Sequence, residues 1–153
     1  MSTRPRDVAQ ELGKLIRGQI DVREFPWLTD QERRALGALG MSMLQAGKAD
    51  VARAAFGVLI DLEPDGAVHF LMFGHACALE DDVQNAFEHF GKAIRLAAQD
   101  QRNSEVASEA FLARGDLLLR IGRVVEARAD LADALTRMAD PVRKKSIEAF
   151  LAA

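Results

Sequence analysis

The chain has 153 residues, 49% of them hydrophobic and 28% charged, with 20 Lys and Arg against 23 Asp and Glu for a net charge of −3. That make-up fits one folded domain with its own core and excludes a disordered or fibrous chain, and the lack of a strong positive field argues against nucleic-acid or anionic-membrane partners. A single cysteine, Cys77, cannot close an intramolecular disulfide, and no stretch approaches the ~20 apolar residues of a membrane span. Helical spacing runs from end to end and β-branched alternating runs are missing, so the expected fold class is all-α. A first helix is predicted from about Asp7 to Arg17, with Val8, Leu12, Leu15 and Ile16 on one face and Gly18 closing it. Pro26 disfavours helix at Phe25, which leaves the segment up to Leu28 irregular. Thr29-Asp30-Gln31-Glu32 spells a capping box that starts a second helix, and Gly47 stops it. A third carries Val51, Ala52, Ala55, Phe56, Leu59 and Ile60 up to Pro64. Asp65 is expected to open a fourth, and Asp140-Pro141 the last.

Self-comparison uncovers a repeat. A shift of 34 residues brings Leu36, Leu39, Gly40, Ala52 and Phe56 onto Phe70, Phe73, Gly74, Ala86 and Phe90. A further 41 brings Gly74, Ala86, Phe90 and Ala93 onto Gly115, Ala127, Leu131 and Ala134, and the seven extra residues fall in Gln99 to Ala107, as a loop or a helix extension. With Pro64 and Pro141 near the ends of two copies, these residues resemble the tetratricopeptide repeat, a helix-turn-helix unit. The resemblance implies an all-α superhelix of three such units. They fall at 33–66, 67–100 and 108–141, with an N-terminal helical segment at 1–28, an insertion at 101–107 and a C-terminal helix at 142–153. Arg114 departs from the pattern, standing where an apolar residue is wanted. Looser packing is expected there, or an Arg stem lying across apolar surface with its head in water.

Chemistry-bearing patterns are scarce. His69, His75 and His89 lack the i, i+4 pairing of a helical zinc site, and Cys77 falls on a repeat core position, where a packed thiol is expected. His75 and Cys77, two apart on a helix, point to different faces and cannot act together. Glu80-Asp81-Asp82 reads as a solvated turn between helices, and Arg143-Lys144-Lys145 is too short a basic run to hold nucleic acid. Gly-rich phosphate loops and nucleophile elbows are missing. The reading is a protein that is not an enzyme and takes no metal or cofactor.

In a stack of helix pairs the first helices line a concave wall, the usual binding surface of such proteins. Residues on those helices outside the packing set include Arg34, Gly37, Met41, Leu44 and Gln45, then Val68, Leu71, His75, Ala78 and Leu79, then Glu109, Leu112, Asp116, Leu119 and Arg120. Much of this wall is apolar, so Met41, Leu44, Val68, Leu71, His75, Leu79, Leu112 and Leu119 are the candidate partner-binding residues. A carboxylate clamp of Lys, Arg and Asn is absent from it, which disfavours acidic tails and favours an extended peptide with apolar anchors. The run Leu28 to Leu96, especially Glu32 to Lys48 and Phe56 to Leu62, and the third copy, Phe111 to Ala134, also resemble the class II chaperones of type III secretion. That resemblance implies a cytoplasmic chaperone, often a homodimer, which keeps hydrophobic translocator proteins soluble before export and grips a P-x-L-x-x-P segment in the groove. Carried over, the anchors would meet Met41, Leu44, Leu71, His75, Leu79 and Leu112. The charged stretch Met1 to Leu15 has no secretory apolar run, in keeping with a cytoplasmic expectation. The alternative reading is a scaffold or assembly subunit of a secretion, pilus or regulatory complex.

Overall fold

A computed structural model describes residues 8–21 and 28–153, and all regular structure in them is helical. Asp7, the Phe25-Pro26 step and Trp27 lie outside the described residues. Helix α1 (Val8–Ile16) ends at Gly18, whose φ of 68° reverses the chain. Helices α2 (Asp30–Gln45) and α3 (Ala49–Leu62), α4 (Ala67–Leu79) and α5 (Val83–Ala97), and α6 (Ser104–Arg120) and α7 (Val124–Leu135) form three successive helix-turn-helix pairs. Each pair packs on the next, and α8 (Pro141–Ala152) packs on α7. The expected all-α superhelix of three repeats is the fold observed.

Local signals account for several helix ends. The Glu32 backbone N–H donates to Thr29 Oγ1 at 3.2 Å while the Thr29 N–H donates to Glu32 Oε2 at 2.7 Å, completing the capping box. Asp140 caps α8 by accepting from the N–H groups of Val142 and Arg143, with Pro141 at the first helical position. Asp65 does not open α4: it lies in the turn, and α4 starts at Ala67 after Gly66, with no side-chain cap. The extra residues before α6 divide into a 3-10 turn over Gln101–Asn103 and a longer start to α6 itself.

The repeat shows most clearly at the turns inside the three pairs. Gly47 (φ 72°), Asp81 (φ 57°) and Gly122 (φ 81°) occupy matching positions and are all left-handed. After each, a backbone N–H reaches back over the helix end: Lys48 to the Met43 carbonyl at 2.8 Å, Asp82 to Cys77 at 3.0 Å, and Arg123 to Leu118 at 2.8 Å. Asp81 is the non-glycine of the three, and the acidic run around it is more than a solvated turn. Arg53 of α3 bonds Glu80 at 2.9 Å and Asp82 at 3.1 Å, whereas Arg120 of α6 bonds Asp81 at 3.1 Å. One turn therefore receives cations from the repeats on either side.

Within each pair the helices cross on small residues. Ala52, Ala86 and Ala127 are wholly buried, and Phe56, Phe90 and Leu131 fill the space beside Gly40, Gly74 and Gly115. One core cluster gathers Leu12, Leu28, Leu36, Ala52, Phe56 and Leu59; a second gathers Phe70, Leu71, Cys77, Phe90 and Leu117. Arg114 belongs to neither expected arrangement. Its Nε and Nη2 donate to Asp130 at 2.6 and 2.7 Å, and its guanidinium lies over the rings of Phe87 and Phe111 at 5.4 and 5.6 Å. Asp130 is itself buried. The head is partly buried, held by a carboxylate in bidentate geometry and flanked by two aromatic faces.

Candidate binding groove

The first helices α2, α4 and α6 stand side by side, and the space in front of them is a cavity of about 450 Å³. Met41 and Leu44 come from α2, Met72, His75 and Leu79 from α4, and Asp116 and Arg120 from α6. Helical spacing explains the α4 contribution: residues three and seven apart share one face. A second cavity of about 370 Å³ opens between α6, α7 and α8, with Leu112, Leu119, Leu131, Val142 and Ile147 on its walls. Asp116 borders both cavities.

The structure thus brings Met41, Leu44, His75 and Leu79 together at one cavity and Leu112 and Leu119 at the next. Val68 is exposed near the start of α4 and lines neither. Leu71 is corrected more sharply. It is 2% exposed and belongs to the core cluster with Phe90 and Leu117. Because α4 packs against α3, α5 and α6, most of its circumference is covered, and subtraction of consensus positions overstates its free face. Met72 does line the cavity and was missed, although its spacing from His75 and Leu79 carried the signal. Val142 and Ile147 were also missed, since repeat logic does not extend to α8.

Electrostatics leave the groove mostly apolar. His75 lies edge-on to Phe90 at 5.2 Å, and burial holds its imidazole below the usual histidine range, with Glu109 pulling weakly the other way. Arg143 of α8 pairs with Glu109, and Arg120 with Asp81. Cys77 is buried behind this wall, its thiol pushed up to about 11 by burial, so it carries little thiolate at neutral pH. Among the described residues no group of three or more His, Cys, Asp or Glu could hold a metal ion, and no helix is long and apolar enough to cross a membrane. Away from the groove, Glu63 bonds both Arg33 (3.0 Å) and His69 (2.8 Å) beside a smaller cavity of about 290 Å³, with no Ser, Thr or Cys on its wall to act as a nucleophile.

Comparison with known proteins follows the fold. No protein-family model matches the chain. Human tetratricopeptide repeat protein 36 is 29% identical over 141 residues, covering 92% of this chain and 71% of that protein. Among solved structures, the type III secretion translocator chaperone SycD of Yersinia enterocolitica superposes with a TM-score of 0.67 at 18% identity, covering 80% of this chain and 90% of its own. PcrH in complex with the chaperone binding region of PopB gives 0.64 at 21% identity, covering 82% and 95%. The first tetratricopeptide domain of Spaghetti (RPAP3), bound to an HSP90 peptide, gives 0.63 at 19%, covering 82% and 98%. The chain is built as a tetratricopeptide-like superhelix, a fold it shares with these translocator chaperones and with the Spaghetti domain alike.

Proposed function

We propose that the chain is a non-catalytic chaperone of the cytoplasm that holds an extended apolar segment of a hydrophobic translocator, or another secreted protein, in the groove before type III export. The observation that carries the reading is the cavity in front of α2, α4 and α6, whose walls are set by Met41, Leu44, Met72, His75 and Leu79. Apolar side chains entering such a recess leave water, at about 25 cal/mol per Å² buried. A partner with membrane-spanning stretches aggregates when free, and a bound chaperone lowers its free population by mass action. Release requires only competition for the segment and no covalent chemistry. The resemblance to SycD and to PcrH, a protein crystallised with the chaperone binding region of PopB, supports the reading. So does the pairing of the arginines on these walls, Arg120 with Asp81 and Arg143 with Glu109, which leaves little to hold an acidic tail.

The test is capture of a translocator's soluble apolar segment by the purified chain, followed by titration calorimetry. Saturable binding with a negative heat-capacity change, lost in Leu44→Glu, is the expected outcome. Binding that survives in Leu44→Glu and maps to the opposite face would support a scaffold in place of a chaperone.

A further inference from the structure

We propose that Asp116 selects the segment held in the groove, favouring one that places a lysine or arginine between two apolar anchors; the proposal rests on the groove being a peptide site. Asp116 is the wall residue common to both cavities. Four residues before it and three after it on α6, Leu112 and Leu119 open into the cavity beside α8, whereas Arg120 borders the cavity beside α4. Helix α6 is therefore the ridge between the two recesses, and Asp116 stands on its crest, exposed.

The other charged groups on these walls already have partners. Arg120 is engaged by Asp81 and Arg143 by Glu109, while burial keeps His75 toward its neutral form. Among the described residues Asp116 makes no ion pair, so its carboxylate is left for a ligand. A segment laid over α6 crosses about one helix diameter, ~10 Å. At ~3.3 Å per extended residue, anchors at positions i and i+4 stand ~13 Å apart, enough to cross the ridge, and because alternate side chains share a face the one at i+2 passes over Asp116. A cation there is attracted and an anion repelled. The occupant is an extended peptide with an apolar, basic, apolar order.

Fluorescence anisotropy tests this with labelled peptides that share leucines at positions i and i+4 and carry Lys, Ala or Glu at i+2, on the same face. The chain is expected to bind the Lys peptide about fivefold tighter than the Glu peptide at low salt. The preference fades as salt screens it, falls below about twofold in Asp116→Asn, and reverses in Asp116→Lys. Because Asp116 is exposed, these variants keep the helical circular-dichroism signal of the parent. Equal binding of the three peptides, or a preference that survives in Asp116→Asn, overturns the proposal while leaving the groove reading intact. Failure of every leucine peptide to bind the unaltered chain overturns both.

Discussion

The ring of Phe90 fills the space that a Cβ on Gly74 would need: such an atom would stand 2.6 Å from the ring carbon Cε1. Phe56 crowds Gly40 in the same way at 2.8 Å, and in the third repeat Leu131 approaches Gly115 at 3.2 Å. Gly74→Ala is therefore expected to overpack the α4/α5 crossing and cost about 1–3 kcal/mol. Gly115→Ala should cost less, because the end of a Leu side chain can give way where a ring cannot. Urea denaturation of both variants, with unchanged m-values, checks the order.

The Arg114 and Asp130 pair gives a second test. Asp130→Ala strips a partly buried guanidinium of its carboxylate and should cost about 2–4 kcal/mol. The double change Arg114→Leu with Asp130→Ala removes the charge as well and restores the apolar residue of the repeat pattern, so it is expected to recover most of that loss. A double-mutant cycle on unfolding free energies measures the coupling.

At the groove, exposure predicts opposite outcomes for two neighbouring leucines. Leu79 is 56% exposed, so Leu79→Glu should keep its helical signal and melting temperature while losing the apolar partner segment. Leu71→Glu puts a charge into the core cluster and is expected to unfold the chain before any binding can be read. Thermal melts followed by circular dichroism, beside the capture assay, separate the two.

Burial of His75 also makes a pH prediction. Its folded-state affinity for a proton is depressed, so the unfolded chain binds the proton more readily. Stability from this residue is complete above the unfolded value of about 6.5 and declines as pH falls below it towards the lower folded value. His75→Phe should flatten the stability profile over that acid range, as read by urea midpoints at a series of pH values.

Cys77 is expected to resist iodoacetamide at pH 8 in the folded chain, since its thiol is buried and raised to about 11. Labelling should appear only with denaturant, in step with loss of helix; mass spectrometry follows it.

The repeat was legible because the same small and large residues recur where helices cross, and Gly40, Gly74 and Gly115 mark those places by their lack of a side chain. Two features were harder to read for definite physical reasons. Arg114 and Asp130 are separated by 16 residues, the same separation as Phe73 and His89, whose rings stack at 4.3 Å in the preceding repeat. Seen in single columns, Arg114 breaks the pattern; seen as a facing pair, it is a matched replacement of aromatics by opposite charges. Leu71 was misplaced because a middle helix in a stack is covered on several sides, and periodicity records which face is apolar but not how many neighbours share it.

The three carboxylates of Glu80-Asp81-Asp82 clasp Arg53 on one side and Arg120 on the other, all at the protein surface. Each such contact contributes about 0–1 kcal/mol and weakens with ionic strength, unlike the apolar crossings beneath. The repeats on either side of this turn are therefore joined by a salt-sensitive layer of ion pairs above a salt-insensitive layer of apolar contacts. Small-angle scattering is expected to show the radius of gyration rising from low to high salt, with helix content unchanged, and Asp81→Gly should lessen that response. Such a layering lets the packing between neighbouring repeats respond to ions while each helix pair keeps its own core.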